Sequence, residues 1–437
     1  MTMLHMDVGR EGAIAKLREW LGTQPEHVRC LLVHDLFGML RLILWNVPVE
    51  SVAREIHAAL HPAADPWWTG DVLEFEKDSP DAEVYEQAWR IARRDPRLPD
   101  RLRVSDRHRT RGSWFQPVQS PLWRPPGDLS PEGPAVVVFY SFKGGLGRST
   151  ALAAFAIQRA RVGERVAVVD FDLDAPGVGL LLASDAAGTT SPWGTVDYLL
   201  EGAGRYPLSD YFHPCRRQEV VGHGEILVFP AGKLDVNYPG KLARVDLEPT
   251  PDGAAPERLQ ELLHSVNREL EPSYILLDAR TGISEVAGTL LSGIAHLHVL
   301  VGSTSEQSWD GLGLVLDRLG GERVQESLAQ ADCVVVQAMI PPDSTAARLA
   351  REDFKTRSRD EFADRYYSEA DPAVEERLWT VEDLESDDAP HVPVPVAYNP
   401  RLAHFKDIAD VADLLADDPE YRALADRVSD RFVEVED

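Results

Sequence analysis

Residues 135–150 read Ala-Val-Val-Val-Phe-Tyr-Ser-Phe-Lys-Gly-Gly-Leu-Gly-Arg-Ser-Thr, an apolar run followed by a glycine-rich segment with basic and hydroxyl side chains. Because Gly144, Gly145 and Gly147 lack a Cβ, the backbone can turn tightly there. Its successive N–H groups can then point at phosphate oxygens where a helix begins. The stretch therefore predicts a strand, a phosphate-binding loop and a helix, with a nucleotide as the ligand.

The sequence of this loop differs from the common phosphate-loop motif, G-x-x-x-x-G-K-[ST]. Lys143 precedes the paired glycines, and Arg148 precedes Ser149 and Thr150. The order resembles the deviant Walker A loop of the ParA/MinD-type ATPases. The resemblance implies binding and hydrolysis of ATP with Mg²⁺, and a Lys143 that reaches into the partner's site when two ATP-bound protomers close into a homodimer. It implies these nucleotide-binding residues: Lys143, Gly144, Gly145, Leu146, Gly147, Arg148, Ser149 and Thr150.

Arg148 is where the sequence departs from this family, which usually has lysine at the position. Arginine-bearing loops resemble a subgroup linked to bacterial signalling and conflict systems. A guanidinium is a planar fork, whereas an ammonium is a point charge, so the contacts of Arg148 with the β- and γ-phosphates must differ from those of lysine. Two functions stay open: an ATP-hydrolysing dimerisation switch in a bacterial regulatory or defence system, and a weakly active nucleotide-binding adaptor.

Two acidic residues follow the second predicted strand, where Val-Val-Asp-Phe-Asp ends at Asp172. Asp170 and Asp172 lie two residues apart at the end of the strand, so both side chains can reach the crevice beside the phosphates. The resemblance implies that Asp172 polarises the attacking water and that Asp170 supports magnesium through water. Lys143 and Asp172 are thus the expected catalytic residues.

A third segment, Tyr-Ile-Leu-Leu-Asp-Ala-Arg-Thr-Gly at 274–282, has the pattern of a Walker B strand. Asp278 would hold a magnesium-bound water, and Ser149 would supply the direct protein ligand to the cation. Thr150 is expected on the α-phosphate. Arg280 either stabilises charge in the transition state or forms an ion pair with a carboxylate.

Two later segments carry weaker signals. Residues 302–307, after a strand, resemble the family segment that begins a dimer-facing helix. Residues 394–400 resemble the late loop that packs on adenine, which would place Pro395 and Asn399 in the nucleotide site. Each pattern fits an ordinary exit from a strand equally well.

From residue 135 onward apolar strands alternate with helices, which is typical of a doubly wound α/β domain with a mainly parallel sheet. The resemblance covers approximately residues 135–410, and acidic helices are expected over 346–367 and 406–432. The predicted strands are Val136–Tyr140, Val166–Asp170, Ile226–Phe229, Tyr274–Leu277, Leu297–Val301, Cys333–Met339 and Val394–Ala397.

The segment before this domain has a different sequence pattern. Residues 1–112 predict a small module of about four helices that binds a partner, with residues 28–44 as a central buried helix. Residues 113–134 contain six prolines and predict a connector that lies against one domain. The ATPase domain is then 135–437.

The chain of 437 residues carries a net charge of −27, which makes nucleic acid an unexpected partner. A protein partner is expected instead, at the arginine-rich stretch 90–111 and at Trp67–Trp68. The three cysteines form no metal-binding pair. We find neither a membrane-spanning stretch nor a signal peptide, so a cytoplasmic location is expected.

Overall fold

The computed structural model describes residues 4–92, 98–106, 112–115, 118–128, 130–247, 256–325, 328–368 and 379–433. The chain divides into two compact units, Met1–Arg111 and Gly112–Asp437. No helix within these described ranges is both long enough and apolar enough to cross a membrane.

The first unit is a mixed α/β module rather than a helical one. Its sheet has the strand order β3-β2-β1-β4, in which only the β1–β2 pair is antiparallel. The elements are α1 (Met6–Leu21), β1 (Arg29–His34), β2 (Leu40–Trp45), α2 (Val49–Ala64), β3 (Trp68–Glu74), α3 (Ala82–Ile91) and β4 (Leu102–Asp106).

The central helix predicted over residues 28–44 is wrong, because this stretch forms the β1–β2 hairpin. Leu32 and Leu42 face a cluster formed with α1 and α2, whereas Leu31 and Ile43 face a second cluster with Trp89 of α3. Since both faces of the hairpin are buried, its residues are apolar throughout and lack the alternation that marks a half-buried strand.

The proposed contact surfaces of this unit also change. Trp68 is buried and donates to Nδ1 of His57, while Trp67 is partly buried and donates to the carbonyl of Leu4, so the pair is not an exposed surface. Arg103 lies over the ring of Trp89. Arg93, Arg94, Arg97, Arg107, Arg109 and Arg111 of the basic stretch lie outside the described residues.

The second unit confirms the doubly wound, mainly parallel sheet. All seven predicted strands are present within one or two residues of the expected ends, and the two-residue β7 is the strand that sequence reasoning missed. The strands are β5 (Ala135–Tyr140), β6 (Arg165–Phe171), β7 (His213–Pro214), β8 (Glu225–Phe229), β9 (Tyr274–Ala279), β10 (Leu297–Gly302), β11 (Cys333–Ile340) and β12 (Val394–Ala397).

The strand order is β12-β11-β10-β5-β9-β6-β8-β7, and every pair except β7–β8 is parallel. The central strands of this sheet are buried and mostly apolar because helices cover both faces. These helices are α4 (Arg148–Arg161), α5 (Val178–Leu181), α6 (Thr195–Glu201), α7 (Gln218–Val221), α8 (Tyr238–Leu242), α9 (Glu257–Leu270), α10 (Glu285–Leu290), α11 (Glu306–Leu319), α12 (Gly321–Gln325), α13 (Ser344–Arg365), α14 (Pro400–Ala403), α15 (Ala412–Asp417) and α16 (Pro419–Ser429).

The helix predicted over 346–367 is present as α13, but the one predicted over 406–432 is broken into shorter pieces. The main break falls between α15 and α16, where the Asp418 carboxylate accepts from the backbone N–H of Glu420 and Pro419 takes the first helical position. Both residue types favour the start of a new helix over the continuation of an old one.

The described part of the proline-rich segment lies on the second unit. Trp123 is buried and donates a 2.8 Å hydrogen bond to the carbonyl of Pro134, and Trp114 donates to the carbonyl of Ser284. His296 donates from Nε2 to the carbonyl of Trp123 and accepts from the N–H of Val136. The bonds of Trp123 hold that part of the segment at the amino ends of β5 and β10, whereas Trp114 contacts the loop that follows the carboxyl end of β9.

Candidate functional site

The glycine-rich loop connects the end of β5 to the start of α4, as the sequence predicts. Gly145 and Gly147 have φ of +77° and +84°, a left-handed backbone that favours glycine. A Cβ built on Gly144, Gly145 or Gly147 would have no neighbour within 4 Å, so the loop borders open space. The first turn of the 14-residue α4 carries no acidic residue, so the helix itself supplies no negative charge at the positive end of its dipole.

The order of the strands brings the acidic residues to this loop. Strands β5, β9 and β6 are adjacent, and Asp170 of β6 is directly opposite Asp278 of β9 in the register. Both carboxylates and Asp172 therefore lie at the carboxyl edge of the sheet, beside the end of β5. The three aspartates singled out from the sequence are together in the fold.

Arg148 lies at the centre of this group. Its Nε is 2.6 Å from Oδ1 of Asp278 and its Nη2 is 2.9 Å from Oδ2 of Asp172. Nη2 also lies 3.3 Å from Oγ of Ser149, which in turn donates a 2.7 Å hydrogen bond to Oδ2 of Asp278. The side chain expected on phosphates thus bridges two carboxylates, and Ser149 contacts the second oxygen of one of them.

The burial of this cluster is nearly complete. Arg148 is 7% exposed, Asp170 is fully buried and Asp278 is 1% exposed. Burial by itself lowers the pKa of the guanidinium, but Asp278 and Asp172 outweigh it and raise the Arg148 pKa, so the group stays charged. One donor of this charged group, the buried Nη1, has no hydrogen-bond partner.

The carboxylates respond to burial in the opposite direction. Burial raises the pKa of Asp170 to about 8, helped by the neighbouring charge of Asp278 and opposed by the N–H groups of Asp172 and Gly177. Burial also raises the pKa of Asp278, although Arg148 and Ser149 oppose the shift. A desolvated carboxylate holds its proton more tightly unless a cation lies beside it.

The loops around the cluster are tied together by contacts that the sequence did not reveal. The hydroxyl of Tyr140, at the end of β5, donates a 3.2 Å hydrogen bond to the carbonyl of Gly282. The hydroxyl of Tyr238 donates a 2.8 Å hydrogen bond to the carbonyl of Leu173. Arg280 is ion-paired with Asp174, which is the second of its two expected roles.

Lys143 and Thr150 do not join the cluster. Lys143 is exposed on the loop, and Thr150 is half-buried in the first turn of α4. Leu146 is buried in the apolar cluster that covers one face of the sheet. The exposure of Lys143 leaves its ammonium free to meet a ligand or another chain.

Pro395 and Asn399 lie far along the sheet from the arginine. Strand β12 is the edge strand, separated from β5 by β11 and β10, and the Asn399 side chain caps α14 by accepting from the N–H of Arg401. Leu402 and Phe405, just after Asn399, are half-buried against the large apolar cluster that covers one face of the sheet.

The segment at 302–307 begins α11, as expected. Its Ser303 N–H donates to Oγ of Ser308, which holds the exit of β10 against the helix. Within the described residues, no three His, Cys, Asp or Glu side chains form a metal site of their own.

Comparison with known proteins gives distant matches, and no protein-family model matches the chain. The chain is 23% identical over 229 residues to an uncharacterized ATP-binding protein of Methanocaldococcus jannaschii, which covers 49% of this chain and 76% of that protein. Among solved structures, the MinD cell division protein of Aquifex aeolicus matches 69% of this chain and 99% of its own, with a TM-score of 0.43 and 17% identity.

Two further structures give similar values. A ParA family ATPase of Chlorobium tepidum has a TM-score of 0.40 and 15% identity, over 68% of this chain and 97% of its own. The septum site-determining protein MinD of Pyrococcus horikoshii, complexed with Mg-ADP, has a TM-score of 0.40 and 17% identity, over 67% and 95%. The fold assignment rests on the strand order and parallel pairing of the chain itself.

Proposed function

We propose that this chain binds Mg–ATP at the carboxyl edge of its large sheet and hydrolyses it slowly, as a P-loop ATPase of the ParA/MinD type. The observation that carries the proposal is the convergence of Arg148, Ser149, Asp172 and Asp278 beside an open glycine loop. The distant relationship to an ATP-binding protein supports the choice of nucleotide.

The residues present fit a magnesium nucleotide. The glycine loop faces open space, and the buried Nη1 of Arg148 is a charged donor without a partner, as a site for an anion would have. Ser149 supplies one hydroxyl ligand, and Asp170 and Asp278 act through water, which is the oxygen set Mg²⁺ takes when phosphates complete its shell. The cation would compensate phosphate charge as the leaving group departs.

The remaining roles follow from position. The loop amides of residues 144–147 and the hydroxyl of Thr150 hold the phosphates. Asp172 orients and polarises the attacking water. Pro395 and Asn399 bind the adenine.

ATP binding closes two copies into a homodimer. Lys143 is exposed on the loop, where its ammonium can reach the phosphates of the facing copy. Hydrolysis then removes the bridging charge and reopens the pair. The helix α11, which begins just after residues 302–305, is the expected dimer-facing element.

The first unit carries the partner specificity in this scheme, and the partner is a protein. The net charge of −27 disfavours nucleic acid as a general ligand. The chain would act in the cytoplasm, in a bacterial regulatory or defence system, as the arginine-bearing loop and the appended module suggest.

A second function, a weakly active nucleotide-binding adaptor, is favoured by one observation. Asp172, the proposed water-activating group, is held 2.9 Å from Nη2 of Arg148. If the pair persists in the nucleotide complex, the carboxylate is a poor base, and the nucleotide serves assembly alone.

Calorimetry and phosphate release test the proposal together. We expect ATP to bind more tightly than GTP in the presence of Mg²⁺, and Ser149→Ala to lose at least about tenfold in affinity for Mg–ATP, about 1.4 kcal/mol. Ser51→Ala, which removes an exposed serine hydroxyl in the first unit, is the matched control and should bind as wild type does. If neither ATP nor GTP gives binding heat, the proposal is refuted. Tight binding without phosphate release would favour the adaptor.

A further inference from the structure

The guanidinium of Arg148 contacts the same groups that the proposed function assigns to the metal and the attacking water. Asp278 gives one carboxylate oxygen to Nε of Arg148 and the other to Oγ of Ser149. Asp172 gives Oδ2 to Nη2. In this arrangement the proposed cation ligand, its water-holding carboxylate and the water-activating carboxylate are all engaged by protein.

The charges of the cluster explain why the arrangement is stable. Two buried carboxylates face each other across neighbouring strands, and a third lies two residues further along the chain. Buried charges of one sign repel strongly and need a counter-charge in the low-dielectric interior. The Arg148 fork supplies it to both Asp172 and Asp278, which is the charge compensation a divalent cation would otherwise bring.

The unpartnered donor shows how a nucleotide would change this arrangement. Nη1 is shielded from solvent, so an incoming phosphate can reach it only if the Arg148 side chain moves toward the glycine loop. Guanidinium groups bind phosphate in a bidentate manner. A guanidinium drawn onto phosphate releases oxygens of Asp172 and Asp278.

We propose that Arg148 acts as an internal counter-cation that keeps the divalent-cation site closed until nucleotide phosphates draw its side chain away, so that metal binding requires nucleotide. The inference rests on the proposed function, because it assigns a regulatory role to a residue of that same site. A lysine at this position would present a compact point charge instead of a planar fork, so it would hold the two carboxylates in a different geometry.

The test is Mn²⁺ binding to the nucleotide-free full chain, measured by electron paramagnetic resonance, because Mn²⁺ takes the same oxygen ligands as Mg²⁺. We expect Arg148→Ala to gain one Mn²⁺ site at least about tenfold tighter than any site of wild type, because two carboxylates lose their counter-charge. The double variant Arg148→Ala with Asp278→Asn should lose this gain.

The matched control is Arg217→Ala, which removes another buried arginine that is ion-paired with an aspartate, Asp407, outside the nucleotide site. It should show only the weak background expected of an acidic protein. Circular dichroism checks that each variant is folded, and Arg148→Gln replaces Arg148→Ala if the alanine variant is not.

Two results would contradict the inference. If the nucleotide-free wild-type chain binds Mn²⁺ at a site that Asp278→Asn abolishes, or if a folded Arg148 variant gains no site, the inference is overturned. ATP calorimetry is scored separately. If the wild-type chain binds ATP but the Mn²⁺ result contradicts the expectation, only this inference is refuted. If the wild-type chain does not bind ATP, the proposed function is refuted.

Discussion

The hydroxyl of Tyr238 donates a 2.8 Å hydrogen bond to the main-chain oxygen of Leu173, the residue that follows Asp172. Tyr238 begins α8, a helix anchored at Lys241, whose ammonium is 2.6 Å from the buried Asp197 carboxylate. The loop that carries the proposed water-activating residue is therefore held by a side chain 65 residues away. This bond restrains the main chain directly after Asp172.

Tyr238→Phe should lower turnover while leaving the affinity for Mg–ATP within about twofold of wild type. The change removes one hydrogen bond, worth about 1 kcal/mol, from the loop that positions Asp172 but none from the phosphate loop. Phosphate release and calorimetry measure the two effects. Tyr366→Phe, which loses a 2.9 Å hydrogen bond to the carbonyl of Ala331, is the control and should leave both unchanged. An equal loss of turnover in both variants would refute a positioning role.

Lys143→Ala and Asp172→Ala should separate assembly from hydrolysis. Removing the exposed Lys143 ammonium should abolish ATP-dependent dimerisation, because no charge then reaches the phosphates of the facing copy. Removing the Asp172 carboxylate should preserve ATP binding and accumulate dimer, because the attacking water is no longer prepared. Light scattering with ATP distinguishes the outcomes. Equal dimer fractions in wild type and both variants would contradict the switch and favour the adaptor.

Arg148→Lys should preserve or raise turnover, whereas Arg148→Ala should reduce affinity for Mg–ATP by at least about tenfold, because only the first keeps a charge for the phosphates. An ammonium would also replace the two fork contacts, from Nε to Asp278 and from Nη2 to Asp172, with contacts from a single nitrogen. Steady-state phosphate release measures the turnover, and calorimetry measures the affinity for Mg–ATP. Should Arg148→Ala bind ATP as well as wild type, Arg148 has no role in nucleotide binding.

Gly311→Ala should weaken nucleotide binding from outside the loop. A Cβ on Gly311 of α11 would lie 1.9 Å from the ring of Phe142, which directly precedes Lys143. Overpacking of this kind costs about 1–3 kcal/mol and would push the ring, and the loop with it, out of place. Calorimetry should show the loss of affinity.

Gly313→Ala, on the same helix, is the matched control. The nearest atoms to its Cβ belong to the flexible, half-exposed Arg365 side chain at 3.1 Å. Alanine also favours helix over glycine by about 1 kcal/mol, so this variant should bind nucleotide normally. Identical affinities for the two alanine variants would show that the Gly311–Phe142 contact does not support the loop.

The stability of the second unit should fall as the pH drops from about 6.5 toward 4, in part because of His296. Burial lowers the pKa of this imidazole from 6.5 to about 4, so in that window the unfolded chain binds a proton that the folded chain refuses. The contribution of His296 to the free energy of unfolding is therefore fully present above this window and decreases by up to about 3 kcal/mol through it.

His296→Gln should flatten this dependence, because glutamine can still donate to the carbonyl of Trp123 but does not titrate. Urea unfolding at several pH values between 4 and 7 measures the difference from wild type. The exposed His404 serves as control, and His404→Gln should follow the wild-type curve. A wild-type slope that persists in His296→Gln would assign the acid sensitivity to other groups.

The sequence by itself determined the architecture of the second unit. Runs of apolar residues such as those of β5, β6 and β9 can be buried on both sides only in a sheet covered by helices, and the loop glycines fix where the first strand turns into a helix. These are local constraints. The local sequence pattern was therefore sufficient to predict that these aspartates lie at strand ends, without any information on which strands are neighbours.

In the first unit the local sequence pattern was not enough to predict the secondary structure. The run that forms β1 and β2 is apolar throughout, and length favoured one helix over two strands. Asp35, whose carboxylate accepts from the N–H groups of Phe37 and Met39, and Gly38, whose φ is +84°, form the turn of the hairpin, and partners from α1, α2 and α3 decided the outcome.

The state of Arg148 was decided by tertiary structure alone. Its partners Asp172 and Asp278 lie 24 and 130 residues away in the chain and meet it only because β6 and β9 are neighbours in the sheet. The sequence predicted a charged fork beside phosphates, since composition and spacing are local properties. Where that fork rests depends on burial and on opposing charge, and both arise only when distant strands assemble into one sheet.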